Sequence, residues 1–171
     1  MDIFGVTMMG TTTAVGGGII RDVIIGVTPP VAFQHPIYAI LAILVSIIVF
    51  LPYVRSKIKL DGRVQLIMDS IGLGVFTVVG IKAGANFDNL FLQLFLGSVT
   101  GVGGGVMRDV FAGDKPRIFV KHFYASSSII GALVCVLLWR LDARIAGPAG
   151  AASVFVTRLL AAKYKWQLPK A

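Results

Sequence analysis

Six stretches of this chain are apolar enough and long enough to read as membrane helices. They run from about Ile3 to Val27, Ile37 to Val54, Val64 to Ala83, Leu90 to Ala112, Phe123 to Leu138 and Ile145 to Ala162. Each is near the roughly 17–25 residues that a helix needs to cross a bilayer. Polar residues collect between them. Pro29-Pro30 ends the first run, because proline cannot continue the backbone ladder. Arg55, Lys57, Lys59 and Arg63 follow the second, opposed only by Asp61. Asn86 to Asn89 form a short polar turn, Asp114-Lys115-Pro116-Arg117 closes the fourth run, and Lys163, Lys165 and Lys170 make a basic tail. The pattern predicts an all-α polytopic membrane protein with six transmembrane spans.

A second pattern lies over the first. Gly16-Gly17-Gly18-Ile19-Ile20-Arg21-Asp22-Val23 returns as Gly103-Gly104-Gly105-Val106-Met107-Arg108-Asp109-Val110. The offset of 87 residues also carries Phe4 onto Phe91, Gly10 onto Gly97, Thr13 onto Thr100, Gly26 onto Gly113, Pro29 onto Pro116 and His35 onto His122. Self-similarity at a fixed offset marks an internal duplication. Three consecutive glycines each cost about 1 kcal/mol against alanine in a helix, which favours a local break. Irregular backbone at membrane depth is tolerated only where protein buries it or a watery cavity receives it. Paired interrupted segments in two halves point to a permeation site. The competing reading is close helix packing through small residues.

Leu66 to Gly84 precedes the second glycine run, and subtracting 87 puts its partner before Met1. A complete unit is then three helices. An odd number makes two tandem units inverted in the membrane, as in many transport proteins. The expected division is a first repeat over 1–60 lacking its first helix, a second over 61–142, and a C-terminal helix with its tail over 143–171. A further apolar helix is expected upstream, and an open groove is expected beside Gly10, Thr13 and Gly17.

Composition agrees with a membrane protein: 56% of residues are hydrophobic, 14% are charged and the mean hydropathy is +0.86. The net charge of +8 could suggest nucleic acid in a soluble protein. Here the basic residues flank apolar runs, so the positive-inside rule accounts for them and a nucleic-acid partner is not expected. That rule places the Arg55–Arg63 loop and the C-terminus in the cytoplasm, with the Arg140–Arg144 loop outside as a mild exception. Cys135 is alone and reads as packing. No nucleophile–base pair, Walker motif, CxxC or zinc spacing is present, so neither an enzyme nor a metal or cofactor site is expected.

The doubled GGGxxRD motif, the three-plus-three repeat and the extra C-terminal helix resemble the trimeric intracellular cation (TRIC) channel family in its prokaryotic branch, which also carries the label glycine transporter. The resemblance covers essentially the whole chain. It implies a homotrimer in the prokaryotic inner membrane, each protomer with its own pore within the repeat helices, passing monovalent cations, chiefly potassium. It also implies kinks at Gly16, Gly17 and Gly18 and at Gly103, Gly104 and Gly105. Two other functions stay open: a secondary transporter for a small solute such as glycine, and a membrane scaffold without transport.

Several polar residues are candidates for the pathway. Thr13 and Thr100 stand three residues before each glycine run. They either bond back to their own helix or offer oxygens to an ion. Charges at membrane depth are expensive and usually paired or functional. Neighbours on a helix do not face each other. Crossed pairs Arg21–Asp109 and Arg108–Asp22 are therefore expected over local ones. Asp69 should pair with one of these arginines or face the pore. Lys82, near a helix end, either snorkels to the interface or acts as a movable cation in the pore. His35 and His122 read as loop residues.

Overall fold

The structure, a computed structural model, describes residues 1–57, 62–120, 123–139 and 141–166. Lys59, Asp61, Lys121, His122, Arg140 and Lys170, which entered the loop assignments above, lie outside them. The described residues form helices α1 (Ile3–Ile24), α2 (Val31–Gln34), α3 (Ile37–Phe50), α4 (Pro52–Lys57), α5 (Gly62–Gly84), α6 (Leu90–Phe111), α7 (Arg117–Val120), α8 (Tyr124–Trp139) and α9 (Ala143–Tyr164). Four of them, α1, α5, α6 and α9, are long and apolar enough to cross a membrane. The other two apolar helices, α3 and α8, are shorter.

The duplication is visible in local chemistry. Asp2 caps α1 by accepting from Gly5 N–H at 2.7 Å. Asn89 caps α6 by accepting from Leu92 N–H at 3.0 Å. Each cap satisfies one of the N–H groups a helix start leaves unpaired. Past the other ends, Gly26 and Gly113 both adopt φ of +74°, which only glycine takes without strain. The short helices α2 and α7 follow in each case.

α5, α6, α8 and α9 pack into a bundle, α1 lies on α6, and α3 lies on α1. One core gathers Ile81, Ala132, Cys135, Val136 and Ala146, and another Leu73, Val102, Tyr124 and Val154. α3 buries only Ser46. Its Ile40, Leu41, Leu44 and Ile48 are exposed.

The expected breaks at the glycine runs are not there. α1 passes through Gly16–Gly18, and α6 through Gly103–Gly105, as uninterrupted helix. The propensity argument holds for water. In a bilayer an unsatisfied backbone group costs several kcal/mol, more than the glycine penalty, so the helix is retained. The glycines are instead a contact surface. A Cβ on Gly17 would fall on the carbonyl oxygen of Thr100, and one on Gly104 would fall on that of Thr13. The crossing is symmetric: Gly16 meets Met107, and Gly103 meets Ile20. Advancing along α1 thus means retreating along α6, so the two helices cross in opposite chain directions.

Candidate functional site

Two cavities flank this crossing. The first, about 280 Å³, is lined by Thr13, Asp69, Phe76, Gly105, Arg108 and Tyr124, among others. The second, about 260 Å³, is lined by Gly18, Arg21, Asp22, Tyr38, Phe76 and Thr100, among others. Their linings correspond through the 87-residue offset: Gly105 to Gly18, Arg108 to Arg21, Thr13 to Thr100. The third glycine of each run therefore faces a cavity, while Gly17 and Gly104 make the crossing.

Thr13 donates its hydroxyl to Met9 O at 2.6 Å, and Thr100 to Leu96 O at 2.6 Å. The bond back to the helix uses the proton and leaves oxygen lone pairs for another partner. Both of the roles weighed for these threonines are thus compatible in one geometry.

The arginine–aspartate pairs are local, against the expected crossing. Arg21 gives Nε and Nη2 to Asp22 Oδ1 at 2.9 and 2.6 Å. Arg108 does the same to Asp109 Oδ1, at 3.0 and 2.8 Å. The neighbour rule describes where Cβ atoms point; a guanidinium on a three-carbon stem can fold back past it. Distance disfavours the crossed pairs. Arg21 and Arg108 lie four residues beyond the crossing in opposite directions, about 12 Å of combined rise. The second oxygen of each aspartate is also committed. Asp22 Oδ2 accepts from Val31 N–H at 2.8 Å, and Asp109 Oδ2 from Arg117 N–H at 2.9 Å. Each dyad thereby ties the end of a long helix to the start of the short one after it. A double-mutant cycle on Arg21→Gln and Asp22→Asn should give a coupling of about 0.5–3 kcal/mol. The Arg21–Asp109 cycle should give none. Coupling in the second cycle and none in the first would restore the crossed arrangement.

The second dyad sits in a larger charge cluster. Asp69 Oδ1 lies 3.7 Å from Arg108 Nη1 and 3.7 Å from Arg117 Nη1, and its Oδ2 lies 3.3 Å from Arg158 Nη2. Tyr124 OH donates to Asp69 Oδ1 at 3.4 Å. The Arg158 guanidinium stands over the Tyr124 ring, 4.6 Å from its centre. Asp69 thus both pairs with Arg108 and lines a cavity. Arg117, Tyr124 and Arg158 had no assigned role in the sequence. Arg158 carried a usable signal, being the lone charge inside the last apolar run; the other two carried none. Lys82 is exposed near the end of α5 and lines neither cavity. This placement fits snorkelling. His35 is exposed.

The groove expected beside α1 is present in part. Gly10 and Thr13 line a cavity of about 460 Å³ with Met9, Ser46 and Phe76. Gly10 itself packs on Ser46 of α3, and Gly17 is closed against α6. At the equivalent place on α6, Gly97 packs on Ile81 and Thr77 of α5.

Known proteins resemble this chain in sequence and fold. The family described as glycine transporter matches residues 1–53 and 66–140. The inner membrane protein YadS of Escherichia coli (strain K12) is 32% identical over 173 residues, covering 99% of this chain and 83% of the relative. A solved TRIC cation channel superposes with a TM-score of 0.88 at 34% identity, covering 100% of this chain and 85% of the other. The TRIC trimeric intracellular cation channel orthologue from Rhodobacter sphaeroides superposes with a TM-score of 0.83 at 25% identity, covering 96% of each chain. A doubled glycine crossing, matched half-cavities and likeness over the full length lead to one assignment: this integral membrane protein belongs to the TRIC channel family, described also as the glycine transporter family.

Proposed function

We propose that the protein conducts monovalent cations, chiefly potassium, through a path inside each protomer of a homotrimer. The observation that carries this reading is the pair of equivalent cavities on either side of the α1–α6 crossing. The carboxylates along them are held by guanidiniums. The oxygens left for a dehydrating cation are then the threonine hydroxyls and backbone carbonyls beside the glycines, the kind of ligand that replaces hydration water in a filter. The path residues that line the half-cavities are Thr13, Gly18, Thr100, Gly104 and Gly105, while Gly16, Gly17 and Gly103 hold the crossing between them and Arg21, Asp22, Asp69, Arg108 and Asp109 fix the surroundings. The family's solved members, cation channels by description, support the same reading.

In this reading α3 and α8 also cross the membrane, giving six spans. Residues 1–60 and 61–142 are repeats of opposite orientation, and 143–171 is an appended helix and tail. The antiparallel contacts between α1 and α6 support the inversion. The protein lies in a prokaryotic inner membrane with its C-terminus in the cytoplasm, consistent with the basic tail and the YadS relative.

The family's other description favours one alternative, a secondary transporter for a small solute such as glycine. Purified protein in a planar bilayer separates them. A channel gives resolved single-channel steps under a potassium gradient. A transporter gives saturable glycine uptake in liposomes and no steps. Uptake without steps would overturn the channel, and neither signal would leave a scaffold.

A further inference from the structure

Among the described residues, Phe76 alone lines both cavities, and it also borders the groove of about 460 Å³ beside α1. Its position on α5 divides them. The first cavity takes Gln65, Asp69, Gly72 and Leu73, all N-terminal to Phe76 on that helix. The second takes Val79, C-terminal to it. The other helices divide at the same level. On α6 the first cavity takes Gly101 to Arg108 and the second takes Thr100. On α1 the second cavity takes Ala14 to Asp22, while the first takes Thr13. Phe76 thus stands at the joint between two half-cavities that each lead away toward an arginine–aspartate dyad.

We propose that the Phe76 ring is a hydrophobic plug, the side chain that separates the two half-cavities and that a permeating ion has to pass. The proposal rests on the channel reading for its function, and on the cavity linings alone for its position. An apolar constriction between wet spaces excludes ions by dewetting. An aromatic ring there has a second property: its negative face attracts cations and repels anions. The plug also has somewhere to go. A helical side chain leans toward the residue four before it, and four before Phe76 is Gly72. A side chain on Gly72 would meet nothing within 4 Å, and Gly72 lines the first cavity. In this proposal that open face is the space into which the ring swings. Packing alone gives no account of a large aromatic set where two half-cavities and the groove beside α1 meet, next to an empty glycine face.

Two measurements test this. In bilayers, Phe76→Ala should raise potassium flux several-fold, Phe76→Leu less, and Gly72→Leu should lower it by filling the space the ring needs. Independently, Phe76→Cys should react with a membrane-impermeant cationic methanethiosulfonate from either face, in right-side-out spheroplasts and in inverted vesicles. Wild-type protein is the control, because Cys135 is fully buried. Unchanged flux in Phe76→Ala, in a protein that conducts, would overturn the plug. So would labelling from one face only or from neither. If wild type and Phe76→Ala both fail to conduct while Phe76→Cys labels from both faces, the plug stands and the channel reading falls.

Discussion

Gly104→Ala should lower the stability of the protein by about 1–3 kcal/mol, the usual cost of forcing a methyl into a filled interior. Gly18→Ala, in the same motif of the other repeat, should be neutral or stabilising by up to about 1 kcal/mol through helix propensity. The difference lies in what each methyl would meet. At Gly104 it meets the Thr13 carbonyl oxygen, a backbone atom of the crossing helix, so α1 and α6 have to separate. At Gly18 the nearest atom is Arg21 Nη2, 3.8 Å away at the end of a long side chain. Gly17→Ala should behave like Gly104→Ala, since its methyl meets Thr100 O by the same symmetry. Leucine at Gly17 or Gly104 should prevent the crossing and abolish flux. Thermal unfolding of detergent-purified variants reads the order directly. Glycines serving only to loosen the helix would respond alike at all three positions, and that outcome would remove the crossing as their reason.

The chain writes its duplication plainly because the repeat needs the same residue at the same structural task twice. Asp2 and Asn89 cap, Gly26 and Gly113 turn, and Asp22 and Asp109 tie a long helix to a short one. Such local tasks depend on neighbours in sequence, so they are legible there. Helix positions were legible for the same reason, with α9 beginning slightly earlier than its apolar run because Asp142 caps it by accepting from Arg144 N–H at 2.7 Å. What the glycines do was not legible. A penalty measured in water opposes a requirement imposed by lipid, and the sequence does not say which solvent wins at Gly17. The arginine pairing misled because the rule for neighbours concerns Cβ directions and not the reach of a guanidinium. Arg117, Tyr124 and Arg158 come to Asp69 from three different helices, and Phe76 acquires its place only where α5 passes the α1–α6 crossing. Only Arg158, the lone charge in the last apolar run, is marked locally; nothing local marks the other three.

Asp69→Asn should be among the most destabilising single changes in the protein. Among the described residues, three guanidiniums of this cluster face two carboxylates, so it already carries one positive charge in excess. Asp69 is the only carboxylate of the two that reaches Arg158, whose side chain is 4% exposed. Neutralising it leaves buried Arg158 with no carboxylate in reach and the partly buried Arg108 and Arg117 sharing Asp109, and removing one partner of a buried pair costs about 3–5 kcal/mol. Arg158→Met should be much milder. It removes the excess charge, and it also removes a buried Nε that has no hydrogen-bond partner. Against those gains it loses the contact with the Tyr124 ring, about 0.5–2 kcal/mol. The two changes should therefore not add. Arg158→Met placed on Asp69→Asn should recover stability, with a coupling of about 0.5–3 kcal/mol. The check is a double-mutant cycle by thermal or denaturant unfolding in detergent. A strictly additive cycle would mean that Arg158 does not feel Asp69, and the cluster would reduce to the Arg108–Asp109 dyad that the first repeat already has as Arg21–Asp22.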